Sequence, residues 1–232
     1  MSFKVALVAV AGAIWGCSDG CDGLAAVTPD PNGIDLGEAG PYVDGGALDA
    51  GWSTVDGGYV VGEAGTVRAD RFITTLVKAS YGPCAGWGQG NLPAIIQGRP
   101  MGGGAEEGSV DVLSLGNGGS LVVSFEPNAI VDGPGVDFMV FENPFWIGGN
   151  PQHVYAEPGV VSVSDDGVTW KSFPCTATNA SGGPFKSCAG HNPVYSSPAN
   201  GISPFDPSVS GGEAFDLADV GLTHARYVKI VD

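Results

Sequence analysis

An all-β sandwich is the fold class this sequence predicts, and three observations predict it. Between residues 109 and 145, apolar side chains recur at every second position, the spacing of a strand with one strongly buried face. Glycine-rich reversals separate those runs, at Asn117-Gly118-Gly119 and Asp132-Gly133-Pro134-Gly135, where tight turns need positive φ. No window after the N-terminus sustains a helical period. Apolar residues make up 43% of the 232, enough for a core in one large β domain or two small ones. The 39 Gly and 17 Pro fall mostly between strand-like runs, so they read as turns and not as low complexity.

Met1 to Gly16 carries one Lys and then an apolar run, Val5 to Trp15, ending at Gly16-Cys17. That pattern describes a signal peptide over 1–16, too short to span a bilayer permanently. Gly before Cys resembles the bacterial lipoprotein signal, which implies lipidation at Cys17; ordinary secretion is the alternative, since Trp15 is bulkier than that signal prefers. Residues 17–58 read as an acidic Gly/Asp-rich tether. Between Cys17 and Val60 stand seven Asp, one Glu and no Lys or Arg, and like charges with few apolar residues keep a chain extended.

The sandwich domain is expected over 59–232. Phe72 to Val77 is a β-branched run and the first expected strand. Pro83 to Gly104 is an irregular excursion; its Gly102-Gly103-Gly104 lacks the Lys-Ser/Thr and the helix of a phosphate loop. Strands are expected at Ser109–Gly116, Gly119–Phe125 and Val136–Asn143. The last places Phe138, Val140 and Glu142 on one face and Asp137, Met139, Phe141 and Asn143 on the other. Both faces are largely apolar, so this strand should lie centrally, covered on two sides. Val160 to Ser164, Asp165-Asp166-Gly167 and Val168 to Phe173 form an expected hairpin. Ala214 to Leu222 reads as a connection and Ala225 to Val231 as the closing strand.

A net charge of −16 with nine Lys and Arg argues against nucleic acid or anionic lipid as a partner and favours cations. A membrane would be met only through the lipid anchor. Setting Cys17 aside leaves Cys21, Cys84, Cys175 and Cys188, an even number in an exported chain. Pairing Cys175 with Cys188 closes about 14 residues, worth about 3 kcal/mol in the chain-entropy model. Cys21 with Cys84 is what remains. His153, His191 and His224 stand in no zinc or triad spacing and read as surface or turn histidines.

The carboxylates say more. Asp132, Asp137, Glu142 and Asn143 surround the central strand, and Asp216 and Asp219, with Glu213 beside them, precede the last one. A buried carboxylate must be paired or metal-bound, and with so few bases a cation is the readier counter-charge. Calcium takes about 6–8 oxygens, which loops at one end of a sandwich can pool. These six residues are therefore the expected ligands of a structural Ca²⁺, with solvated turn acids as the alternative. Among aromatics, Trp146, Trp87 and Tyr155 are the candidate ligand contacts; Trp146 is either an exposed platform or a cap on the sandwich edge.

Two segments resemble the discoidin, or coagulation-factor C-domain, group of galactose-binding-like jelly rolls. They are Val161-Ser162-Val163-Ser164-Asp165-Asp166-Gly167-Val168-Thr169-Trp170 and Ala225-Arg226-Tyr227-Val228-Lys229-Ile230. The resemblance implies a jelly-roll β-sandwich. Leu113-Ser114-Leu115-Gly116, Ile130 to Gly135, Phe141-Glu142-Asn143 and Gly212 to Leu222 resemble a family of bacterial, myxobacterial-type cell-surface lipoproteins. That family carries no known activity, so it implies location and fold alone. It also implies a further strand beyond Asp232, hence a truncated C-terminus.

Three functions follow as expectations. The first is a non-enzymatic surface binding or adhesion module, anchored by lipid, stabilised by calcium and contacting glycans or other surface components. The second is a purely structural envelope or matrix protein. The third is a glycoside hydrolase using Glu142 and Glu157, which would need one of two defined carboxylate separations. Labelled palmitate should be incorporated into the exported chain, and Cys17→Ala should abolish that incorporation.

Overall fold

The computed structural model describes residues 71–176 and 187–232 in full, together with the backbone of four strands nearer the N-terminus. Those four are β1 (Val5–Leu7), β2 (Ser53–Val55), β3 (Tyr59–Gly62) and β4 (Gly65–Arg68). Then follow β5 (Thr75–Ser80), β6 (Ser120–Ser124), β7 (Ile130–Val131), β8 (Phe138–Val140), β9 (Phe145–Trp146), β10 (Val154–Tyr155) and β11 (Val160–Ser164). The last are β12 (Lys171–Ser172), β13 (Glu213–Phe215), β14 (His224–Ala225) and β15 (Tyr227–Val231). Short 3-10 turns are the helical structure among the described residues, so the described part of the chain is all-β.

The main sheet has five antiparallel strands in the order β12-β11-β15-β6-β5. Strand β15 lies at its centre, pairing with β11 from Tyr227 to Val231 on one side and with β6 over the same residues on the other. Period-2 burial fixes this register. Val228 and Ile230 face inward beside Leu121 and Val123 of β6 and Val161 and Val163 of β11. On the outer face the Lys229 ammonium stands 4.5 Å from the Trp170 ring centre.

Across the core lies β8, antiparallel to β13, with Phe138 opposite Phe215 and Val140 opposite Glu213. Phe138 stacks on Phe215 at 5.1 Å, and Phe173 meets Phe215 edge-on at 4.8 Å, which ties this layer to the end of β12. Phe138 and Val140 share the main core, while Met139 and Phe141 pack in a second cluster with Phe72 and Val194. The expected central strand, apolar on both faces, is borne out.

Several expected elements differ. The first fully described strand runs Thr75–Ser80, not Phe72–Val77, and carries a bulge between Leu76 and Lys78. Leu76 and Ala79 both point inward although three residues apart, which a regular period of two forbids and one extra residue allows. Ser109–Gly116 is no strand. Its Ser109 is held by the Asn143 side chain and its Ser114 N–H goes to the Trp87 carbonyl, and Val112, Leu113 and Leu115 are buried outside any named strand while Val110 is exposed. Residues 213–215, partly assigned to a connection, form β13, and the closing strand breaks at Arg226 into β14 and β15.

The hairpin at 160–173 is present, its turn held by Asp166, which accepts from the Val168 and Thr169 N–H groups and the Ser164 hydroxyl. Cys175 and Cys188 form the expected disulfide. Cys84 is disulfide-bonded too, its partner lying outside the described residues, where the expectation places Cys21. Ser53–Val55, within the expected tether, pairs with β3. Val5–Leu7, within the expected leader, runs parallel to β8 on the side away from β13. Cys17 and the rest of the leader and tether lie outside the described residues.

Phe138→Ala should cost about 3–5 kcal/mol, because it empties a fully buried site between two other phenylalanines. Chemical denaturation followed by tryptophan fluorescence measures it.

Candidate functional site

Two groups of carboxylates flank β8, and the geometry of the strand keeps them apart. Asp137 and Glu142 are five residues apart, an odd number, so they point to opposite faces. Along an extended chain that separation is about 16 Å. One ion cannot take both.

At the first end are Asp132, Asp137 and Asp216, each offering an oxygen within 4.8 Å of the others. Asp132 follows β7 and is exposed; Asp216 follows β13 and accepts the Ala218 N–H at 2.9 Å, capping the 3-10 turn Leu217–Val220. Asp137 is fully buried. Its two oxygens accept the Gly133 N–H at 2.9 Å and the Leu217 N–H at 2.8 Å. Burial raises the Asp137 carboxyl above its usual range; those N–H groups work against the rise, and neighbouring Asp216 and Asp132 add to it. Carboxylate oxygens keep lone pairs beyond these bonds, so the group can still meet a cation.

Half of the six expected ligands therefore come together. The other three do not. Asp219 is exposed within the 3-10 turn. Asn143 is spent on the backbone of Ser109, accepting its N–H and donating to its carbonyl. Glu142 turns to the opposite face.

There Glu142 feels the charge of Glu157, which the sequence reading pairs with it, and of Glu213 and Asp232, which that reading does not. Glu213 opens β13 opposite Val140 and is 7% exposed. Its carboxylate accepts three successive backbone N–H groups, from Gly190 at 3.0 Å, His191 at 2.8 Å and Asn192 at 2.5 Å. Glu157 is hydrogen-bonded to the Tyr155 hydroxyl, and its Oε2 is buried with no hydrogen-bond partner. Asp232 follows β15, its N–H bonded to the Gly119 carbonyl at 3.0 Å.

Burial pushes Glu213 up to about 7, against the pull of its three N–H donors. Burial and then Asp232 raise Glu157 to about 7. Glu142 is raised well above the usual range by burial first, then by Glu213, Asp232 and Glu157. No Lys or Arg pairs with these four among the described residues. The ion pairs of Arg226 and His224 go to Asp165 instead. Strand alternation at 213–215 could have revealed Glu213 as inward-facing, but three residues are too few to read a period.

The candidate ligand contacts divide. Trp146 pairs with Val154 across the β9–β10 ribbon, and Tyr155 stacks on Phe145 at 5.0 Å in the same ribbon. Both are half-buried. Trp87 is 43% exposed, with its ring N–H donated to the Val110 carbonyl at 2.9 Å. Next to this region Glu142 and Asn143 line a small cleft with Gly102, Ser109 and Asp111, whose space of about 10 Å³ suits one water-sized occupant.

Set against known family models, curated proteins and solved structures, the chain matches none.

These acids fix the pH response of the cation-free protein. Glu213 holds its proton to about 7 when folded and to about 4.5 when free. The folded state thus binds more protons between those values, and stability falls as pH rises through that window. The contribution is complete below about 4.5 and lost above about 7. For Glu213 it amounts to about 3 kcal/mol. In chelator, Tm at pH 5 should exceed Tm at pH 8 by roughly 6–12 °C, as read by differential scanning calorimetry.

Proposed function

We propose that this chain is a non-enzymatic, calcium-stabilised binding module of the bacterial cell surface, with a jelly-roll, galactose-binding-like sandwich held out on a lipid-anchored tether. The observation that carries the calcium part is the convergence of Asp132 and Asp137, at the two ends of the β7–β8 loop, with Asp216, after β13, onto one 4.8 Å neighbourhood. An ion there would tie the end of β7, the start of β8 and the turn after β13 together, which suits a domain working outside the cell. Oxygen-only donors select a hard cation, and irregular loop geometry suits Ca²⁺ better than Mg²⁺. The affinity fits an extracellular module, of order 10⁻⁴–10⁻³ M.

Glycans or other surface components would be met by the aromatic ribbon carrying Trp146 and Tyr155, with Trp87 as a further contact. Half-burial of Trp146 and Tyr155 leaves part of each ring for stacking. The likeness of residues 161–170 and 225–230 to galactose-binding-like domains supports the same reading.

Millimolar Ca²⁺ should raise Tm over that in EGTA, and Asp132→Asn, an exposed substitution, should remove most of that gain while leaving Tm in EGTA within a few degrees. Equal unfolding of the wild type in the two buffers would end the calcium reading. On immobilised surface polysaccharide, Trp146→Ala should be retained less than wild type; equal retention would remove Trp146 from the binding face.

A further inference from the structure

We propose that Asn117 is a modification site, at which the folded chain converts its own asparagine to isoaspartate with water as the co-reactant. Asn–Gly pairs occur in the sequence at Asn32, Asn117 and Asn200. A glycine after asparagine leaves the next backbone nitrogen unshielded by any Cβ, so each pair is open to the same reaction in a free chain. Folding decides which pair keeps that reactivity. Asn32 lies outside the described residues, and the other two stand in opposite situations.

Asn200 is tied down. Its Oδ1 accepts the Ser197 N–H at 3.2 Å and the Ile202 N–H at 3.1 Å, and its Nδ2 donates to the Tyr195 carbonyl at 2.6 Å. Its Cγ cannot swing towards the Gly201 nitrogen until those bonds break. The Asn117 side chain makes no hydrogen bond among the described residues, and both Asn117 and Gly118 are exposed. No heavy atom lies within 4 Å of where a Cβ on Gly118 would stand, so that flank is open to water.

The turn itself permits the motion. Gly116 to Gly119 is a tight reversal, closed by the Gly119 N–H on the Gly116 carbonyl at 2.7 Å, with Gly118 at φ +72°. The peptide plane between Asn117 and Gly118 can turn over with that bond kept, since glycine accepts either sign of φ. The rotation carries the Gly118 nitrogen up to Cγ of Asn117.

The step balances. The Gly118 nitrogen bonds to Cγ, the Cγ–Nδ2 bond breaks, and ammonia leaves with the proton that the nitrogen gave up. One water then opens the cyclic imide. Attack at the backbone carbonyl leaves the chain running through Cγ as isoaspartate, and attack at Cγ gives aspartate. Isoaspartate carries an extra backbone methylene and a new carboxylate.

The consequence falls on the main sheet. The Asn117 N–H is held by the Pro83 carbonyl at 3.0 Å, and the Gly119 carbonyl accepts the Asp232 N–H at 3.0 Å, at the end of the β6–β15 ladder. A Cβ on Gly82 would stand 2.0 Å from the Asn117 carbonyl oxygen, so the turn fits its bed closely. A longer backbone there must displace one of these partners.

The test incubates the full wild-type chain in warm, mildly alkaline buffer. Peptide mapping by mass spectrometry, with isoaspartyl methyltransferase labelling, reads the products. Asn117 should convert at least about tenfold faster than Asn200, since freeing even two side-chain hydrogen bonds costs that much. Isoaspartate should exceed aspartate at 117. Equal rates at the two sites in the folded chain, or Asn200 ahead, would overturn the proposal. Aspartate alone at 117 would overturn it too, because direct hydrolysis forms no imide. In guanidinium the two sites should convert alike; a difference that persisted there would belong to the local sequence and overturn the argument from the fold. Chain converted at 117 should unfold at a lower Tm than fresh chain, and an unchanged Tm would overturn the turn's part in supporting the sheet.

Discussion

The two-sided burial of β8 is the constraint on which the rest of the structure depends. Phe138 and Val140 enter the main core, and Met139 and Phe141 enter the second cluster, so neither face of the strand meets water. Residues at the two ends of such a strand inherit that dryness. Asp137 and Glu142 are polar ends of an apolar segment, and their burial follows from the segment, not from any preference of their own. Everything distinctive about the acidic groups begins there. The five-stranded sheet gives β8 something to pack on, and Phe173 and Phe215 fix how it sits.

How much of this the sequence shows depends on the length of each periodic run. The strands β6, β8, β11 and β15 alternate over three to five residues beside clear turns, and all four are legible. The Cys175–Cys188 bridge is legible because the two cysteines flank one loop after a hairpin. The first strand reads three residues early in the sequence because its β-branched run begins before the ladder does. A bulge then hides the inward pair Leu76 and Ala79 behind an irregular spacing. Ser109–Leu115 shows the opposite failure: it alternates like a strand, yet its backbone groups are taken by the Asn143 side chain and the Trp87 carbonyl. Burial there is continuous from Val112 to Gly116 while Val110 is exposed, so the alternation reports neither the ladder nor the faces.

Sequence reasoning picks out the right acidic residues and then pools them wrongly. Few bases and apolar flanks do single out Asp137 and Glu142 as acids in need of a partner. Strand parity already sets the two carboxyls on opposite faces in the sequence; pooling them in one ion site overlooks what that parity implies. Asp216 joins Asp137 across about eighty residues because β13 lies beside β8. The same pairing, read one step along, sets Glu213 opposite Val140 and so close to Glu142. Asp232 reaches the group only through the position of β15. Those are properties of sheet order, and no local pattern carries sheet order.

The two groups also differ in how their charge is answered, and that difference separates structural acids from a site. Asp137 spends both oxygens on N–H groups of adjoining turns, and Glu213 takes three N–H donors from one stretch of backbone. Each has a local supply that offsets much of the cost of leaving water. Glu142 has none, because the donors nearest to it are already engaged. Competition for a fixed number of backbone donors thus turns one member of an acidic group into the group's open valence. A proton can fill it, and burial beside other carboxyls makes Glu142 and Glu157 alike hold their protons to higher pH than a free carboxylate does.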